Sequence, residues 1–162
     1  MGDPRKPKKL FHRPRRIWTT EQLSAELYIL GSYGLRNKHE LWKAQTEVAR
    51  FRNQARALLS VPLEVRQGKE TTLLRFLNRV GLVKEDATLD DVLNLKVEDL
   101  LERRLQTIVM KKGGIKSPHQ ARQIVVHGHV SINNRIVDLP GYTVKRQEEP
   151  QISLMISNTP NP

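Results

Sequence analysis

Between Gly113 and Asn134 the chain is interrupted four times by residues with strong backbone preferences: Gly113-Gly114, Ser117-Pro118, Gly128 and Asn133-Asn134. Neither a long helix nor a long strand fits between such marks. Ser117 before Pro118 sets an N-cap and a first helical position, because proline's fixed φ suits that turn and its missing N–H loses no partner there. Gly128 ends the helix so begun. Asn133-Asn134, between VSI and RIV, is a two-residue hairpin signal, since asparagine tolerates left-handed backbone. The spacing predicts a preceding helix over 99–112, closed by Gly113-Gly114. Beyond the hairpin, Pro140-Gly141 marks a further turn, with strands expected over 142–146 and 151–156.

Upstream the apolar period is helical. Thr19 with Gln22 has capping-box spacing, and Leu23, Leu27 and Leu30 follow at helical intervals until Gly31. Asn37 with Glu40 repeats the signal ahead of a long helix to about Leu59, ended by Ser60 and Pro62. On that helix Leu41, Ala44, Val48, Ala55 and Leu59 share one face, and Lys43, Arg50 and Gln54 gather opposite. A third helix is expected over 70–80, closing at Gly81, and Thr88 with Asp91 opens a short fourth. The expected fold class is therefore α+β. A basic extended arm (1–18) leads into a helical region (19–98), a compact helix-turn-helix module with a small antiparallel sheet (99–156), and a loose tail (157–162).

Charge narrows the function. The 162 residues carry 28 Lys or Arg against 17 Asp or Glu, a formal charge of +11. Such a field collects polyanions. No apolar run approaches the ~18 residues of a membrane span, and the charged N-terminus is unlike a secretory signal. With no cysteine there is neither a disulfide framework nor a thiolate metal site. A cytoplasmic binder of nucleic acid is the expectation. Residues 1–16 hold seven basic side chains and little apolar material, so they read as disordered until bound. From Arg103 to Val137 there are seven Lys or Arg and no carboxylate, whereas 85–102 holds seven acids. Only the basic segments lack internal partners for their charge.

Helical steps of ~100° per residue place Leu101, Leu105, Ile108 and Val109 on one side of the 99–112 helix. Arg103, Arg104, Thr107 and Lys111 fall on the other. In the next helix Ala121, Ile124 and Val125 turn inward while His119, Arg122 and Gln123 turn outward. Packed side by side, the two helices would merge their outward faces. Lys116, Ser117 and Gln120 border the second helix's N-terminus, whose free N–H groups favour anions. Arginine's planar fork suits phosphate.

Three of the five histidines lie at positions 119, 127 and 129. A metal site needs three or four converging ligands, and this window supplies no acid before Asp138. His127 ends a helix, where an imidazolium is mildly favoured. His129 falls opposite Asp138 across the hairpin, so a cross-strand pair is expected. Only His119 shares a face with candidate binding residues. No nucleophile or paired carboxylate accompanies them, so no catalytic residue and no cofactor is assigned. A DNA-reading helix-turn-helix would continue into another helix rather than a hairpin. Backbone and shape reading of folded RNA fits better.

LERRLQT (101–107) and KSPHQARQIVVHGHVSINNRIVDLPGY (116–142) resemble the α-L RNA-binding motif, the module named after small-subunit ribosomal protein S-four. Arg103-Arg104, Ala121 to Val125 and Val130 to Asn134 hold its pattern, with Asn134 where glycine is usual. The upstream segments GSYGLRNKHELWKAQTEVARFRNQARALL and LDDVLNLKVEDLLERRLQT resemble the archaeal and eukaryotic S-four type, called S-nine in eukaryotes. The resemblance covers residues 19–156. It implies a non-enzymatic constituent of the small ribosomal subunit that binds the 5′ domain of its rRNA early in assembly. It also implies the S-five-type protein among its neighbours, a place where mRNA enters, and an influence on decoding accuracy. The zinc-binding cysteines of bacterial relatives have no counterpart. The expected RNA contacts are Arg103, Arg104, Thr107, Lys111, Lys116, Ser117, His119, Gln120, Arg122 and Gln123, with Arg13, Arg15, Arg16, Lys43 and Arg50 upstream. The same module occurs in ribosome-rescue proteins and RNA-modifying enzymes, which form the alternative class.

Overall fold

The computed structural model describes residues 10–155. Seven helices precede or enter a small sheet: α1 (Thr20–Tyr33), α2 (Lys38–Leu59), α3 (Leu63–Val80), α4 (Leu89–Leu93), α5 (Val97–Glu102), α6 (Leu105–Lys112) and α7 (Pro118–Val126). Strands β1 (Val130–Ile132), β2 (Arg135–Ile136) and β3 (Ile152–Leu154) form one antiparallel sheet in the order β2-β1-β3. The loose tail expected over 157–162 lies outside the described residues, as do residues 1–9 of the arm.

Two apolar clusters organise these elements. The first gathers Leu41, Val48, Phe51 and Ala55 of α2 with Leu77, Leu89, Val92, Leu100 and Leu101. The second gathers Leu105, Ile108 and Val109 of α6 with Ala121, Val125, Val130, Ile132 and Val144. Each fully buried Leu or Val in them contributes roughly 1.5–3 kcal/mol. The clusters change over between Leu101 and Leu105.

At that changeover the single helix expected over 99–112 is broken. Arg104 is extended (φ −72°, ψ 142°) and bridges to Thr143. Leu105 N–H donates to Tyr142 O and Val144 N–H to Arg103 O. This long-range pairing overrides a leucine spacing that suits a continuous helix. It also explains residues 142–146, which form only that isolated bridge and no strand. Thr107, expected to face outward, is buried, and its Oγ1 donates to the Leu101 carbonyl at 2.8 Å beside the break.

Local signals held elsewhere. Asn37 Oδ1 accepts from Glu40 N–H at 3.1 Å, and Thr88 with Asp91 forms the short α4 cap. Ser117 caps α7, and Gly128 follows it at φ 75°. Asn133 (φ 52°) and Asn134 (φ 60°) make the hairpin turn, pairing Ser131 with Ile136 and Ile132 with Arg135. Three boundaries differ. α1 continues through Gly31 to Tyr33, ending at left-handed Gly34, and Thr19 Oγ1 donates to Arg16 O rather than capping α1. α3 starts at Leu63, directly after Pro62, and runs through Gly68. His129 and Asp138 form no ion pair among the described residues; instead the rings of His127 and His129 stack 6.4 Å apart.

Residues 11–13 of the arm, expected to be disordered until bound, pack on α2. The Phe11 ring stacks on His39 at 4.9 Å, and the Arg13 guanidinium sits 5.8 Å over Trp42. His12 N–H donates to Thr46 Oγ1 at 3.0 Å.

Candidate nucleic-acid interface

Ser117 has extended backbone and its hydroxyl accepts from His119 N–H, which fixes where α7 begins. Ala121 and Val125 are then driven into the core. The opposite face follows from helical geometry. His119, Gln120 and Gln123 are exposed on it, and Lys116 is exposed just before the cap. None of these four meets a carboxylate among the described residues. Lys111 is exposed as well, at 3.3 Å from Glu102 on a solvent-screened surface. Ile124, expected inward, packs partly buried against the core.

The arginines behave differently from the expectation. Arg103, Arg104 and Arg122 were expected to present free guanidinium groups, yet each is tied inside the molecule. Arg103 Nε donates to Val80 O at 3.0 Å and Nη2 to Val144 O at 3.0 Å, while Nη1 pairs with Glu149 at 2.7 Å. Arg104 is buried, and its Nη2 lies 2.8 Å from Glu40 Oε2. Arg122 Nη2 lies 2.9 Å from Glu40 Oε1. One carboxylate on α2 thus holds two arginines that flank the second apolar cluster. Gln106 completes the hub. It is buried, its amide donates to Tyr33 O, Gly34 O and Pro118 O at 2.9–3.2 Å, and its carbonyl accepts from Arg122.

Burial raises the Glu40 carboxyl pKa, and hydrogen bonds and charge from Arg122 and Arg104 more than offset that, so the net displacement is downward. Glu40 and Gln106 are the residues of this cluster that sequence reasoning missed. Glu40 was assigned to the α2 cap by its spacing, and its backbone N–H does take part there, but its side chain turns to the arginines. Gln106 carried no signal, because a polar residue between Leu105 and Thr107 reads as a surface position.

The upstream set divides in two. Lys43 is exposed and lines a cleft of about 490 Å³ together with Glu40, Glu47, Arg104 and Arg122. Arg13 and Arg50 line a second groove along α2 with Gln45, Asn53 and Gln54. Arg15 and Arg16 are exposed in the arm, and Thr19 holds Arg16 O.

Comparison with known proteins bears on what this arrangement belongs to. The S4 domain family model matches residues 103–149, the stretch from the helix break to Glu149. The small ribosomal subunit protein uS4 of Cenarchaeum symbiosum is 57% identical over 154 residues, 95% of this chain and 75% of that protein. The chain belongs to the uS4 family. The uS4 proteins of Nitrosopumilus maritimus and Ignicoccus hospitalis are each 56% identical, over 94% and 92% of this chain and 76% and 90% of theirs. As a uS4-family member it is a structural ribosomal protein and not an enzyme. The α+β architecture, with its three-stranded antiparallel sheet inside and beyond the S4 match, accords with that membership. Among the described residues, no helix is long and apolar enough to cross a membrane.

Proposed function

We propose that the chain binds small-subunit rRNA through the edge formed by α6, α7 and the loop between them. The observation that carries this reading is the exposed, carboxylate-free group of His119, Gln120 and Gln123 on a helix whose other face is locked into the core, with Lys116 just before its cap. Lys111 and the N-cap at Ser117 extend it. Side chains of these types reach phosphate oxygens and ribose hydroxyls, the groups that A-form RNA displays most openly. Arg103, Arg104, Arg122 and Thr107 shape this edge from inside. On α2, Lys43, Arg50 and the arm residues Arg13, Arg15 and Arg16 offer a second basic surface.

Family membership supports a place in the cytoplasmic small ribosomal subunit, on the 5′ domain of its rRNA from an early stage of assembly. It likewise supports neighbouring small-subunit proteins, the S-five-type protein among them, a position where mRNA enters, and an influence on decoding accuracy.

The experiment is a salt titration of binding to a 5′-domain rRNA fragment. Lys111→Ala with Lys116→Ala is expected to weaken binding roughly ten-fold near physiological salt and to flatten the slope of log affinity against log salt by about 1.5–2. Circular dichroism of the variant should stay that of the parent, because both lysines are exposed. An unchanged slope removes this edge from the interface.

A further inference from the structure

A groove of about 530 Å³ runs between α2 and α3. Its apolar surface comes from Phe51, Leu58, Leu73 and Phe76, and its rim carries Arg50 and Lys69. No carboxylate lines it, and neither rim cation forms an ion pair among the described residues. Phe76 is 39% exposed, and its ring meets Phe51 at 6.1 Å with the Arg79 guanidinium 5.8 Å away. Water therefore reaches an aromatic ring that sits between cations.

This groove shares a ridge with the groove holding Arg13, Asn53 and Gln45. Arg50, Gln54 and Ala57 line both. The two grooves differ in chemistry. The Arg13 groove adds amides and a second arginine to an otherwise apolar lining, and these groups suit a sugar–phosphate backbone. Its Thr46 hydroxyl is already bonded to Trp42 O and His12 N–H. The α2–α3 groove suits something flat and uncharged whose attached charge is negative.

We propose that the α2–α3 groove takes an unstacked nucleobase of bound rRNA, with its flanking phosphates on Arg50 and Lys69. The base packs against Phe76 and the leucines, and the strand crosses the Arg50–Gln54–Ala57 ridge into the Arg13 groove. A basic partner is repelled by the rim. An acidic amphipathic peptide meets the same charge test but leaves the exposed aromatic ring and the adjoining amide-lined groove unexplained, so RNA is favoured. The proposal rests on rRNA binding as read above, and it names a contact distinct from the α6–α7 edge.

The test uses the full chain. Binding of the 5′-domain rRNA fragment is measured for the parent and for Phe76→Leu, which keeps apolar volume but lacks a stacking face. Removing one base–aromatic stack is expected to weaken binding roughly five- to fifty-fold, with the melting temperature of the free protein lowered by about 2–5 °C through loss of the Phe51–Phe76 pair. Phe76→Ala should weaken it at least as much. Methyl NMR then follows Leu58 and Leu73 during titration with a short single-stranded RNA, with an abasic ribose-phosphate oligomer of equal length, and with an acidic amphipathic peptide. The expected result is a shift of both leucines by the RNA alone. Equal shifts from the abasic oligomer, or shifts from the peptide alone, overturn the proposal. A fragment that binds the parent and Phe76→Leu equally well overturns this proposal and leaves rRNA binding standing. A fragment that fails to bind the parent overturns both.

Discussion

Glu40→Ala is expected to destabilise the free protein by about 2–4 kcal/mol, because it leaves two partly desolvated guanidinium groups facing each other. Arg104 and Arg122 both reach the one carboxylate, at 2.8 Å and 2.9 Å. Solvent still touches the Glu40 side chain, which keeps the loss near the lower end of what breaking a buried pair costs. For a chain of this size the change corresponds to a fall in melting temperature of roughly 5–12 °C. Glu40→Gln, which keeps shape and some hydrogen bonding, should fall between parent and Glu40→Ala. The pH dependence gives a second reading of the same contact. The folded-state carboxyl lies below its ordinary value of 4.5. Its contribution is therefore fully present above that value and is lost as pH falls through the lower, folded one. The stability gap between parent and Glu40→Gln should narrow as pH drops from about 4.5 downward. A gap that is constant from neutral pH to pH ~3 would show that the carboxylate's charge is not what holds the arginines.

Gly34→Ala should cost roughly 2–4 kcal/mol by a different route, adding backbone strain to overpacking. Gly34 has φ 58°, a left-handed conformation that ends α1. A Cβ there would lie 2.8 Å from Pro118 Cβ and 2.9 Å from Gln106 Nε2. Neither neighbour yields easily. Pro118 is the first residue of α7, and the Gln106 amide is already committed to three carbonyls, one of them Gly34's own. The substitution pushes α1 away from the S4 module at the point where they touch. Equilibrium unfolding in urea measures the loss. Gly31→Ala makes the control, since Gly31 is helical and a Cβ there meets nothing within 4 Å. A better helix former at Gly31 should raise stability by up to about 1 kcal/mol. Equal losses at both positions would mean that the Pro118–Gln106 contact contributes nothing.

What could be read from the chain was what depends on near neighbours. Asn37, Thr88, Ser117-Pro118, Gly81 and Asn133-Asn134 each mark a boundary through a hydrogen bond or a φ preference within a few residues. The structure places caps, a left-handed glycine and a hairpin turn there. What could not be read depends on partners far along the chain. Arg104 and Arg122 find Glu40 at separations of 64 and 82 residues, and Arg103 finds Glu149 at 46. Periodicity places those arginines on outward faces because a wheel has no knowledge of a carboxylate arriving from another element. The break at Arg103-Arg104 is hidden for the same reason, since its cause is the strand-like pairing with residues 142–144. Gly31 misled in the other direction, since α1 runs through it to Tyr33. Glycine weakens a helix without ending it, and α1 ends only at Gly34, where the backbone turns left-handed.

The anchoring of Arg103 also has a consequence in time. Its guanidinium joins Val80, made earlier, to Val144 and Glu149, made later. During synthesis at ~5–20 residues per second, the 46 residues between Arg103 and Glu149 take roughly 2–9 s to appear. Throughout that interval α1 to α5 can fold around their own core, while the S4 module lacks the segment that closes its first bridge. The helical part can therefore form before the joint that Arg103 makes with Val144 and Glu149 can close.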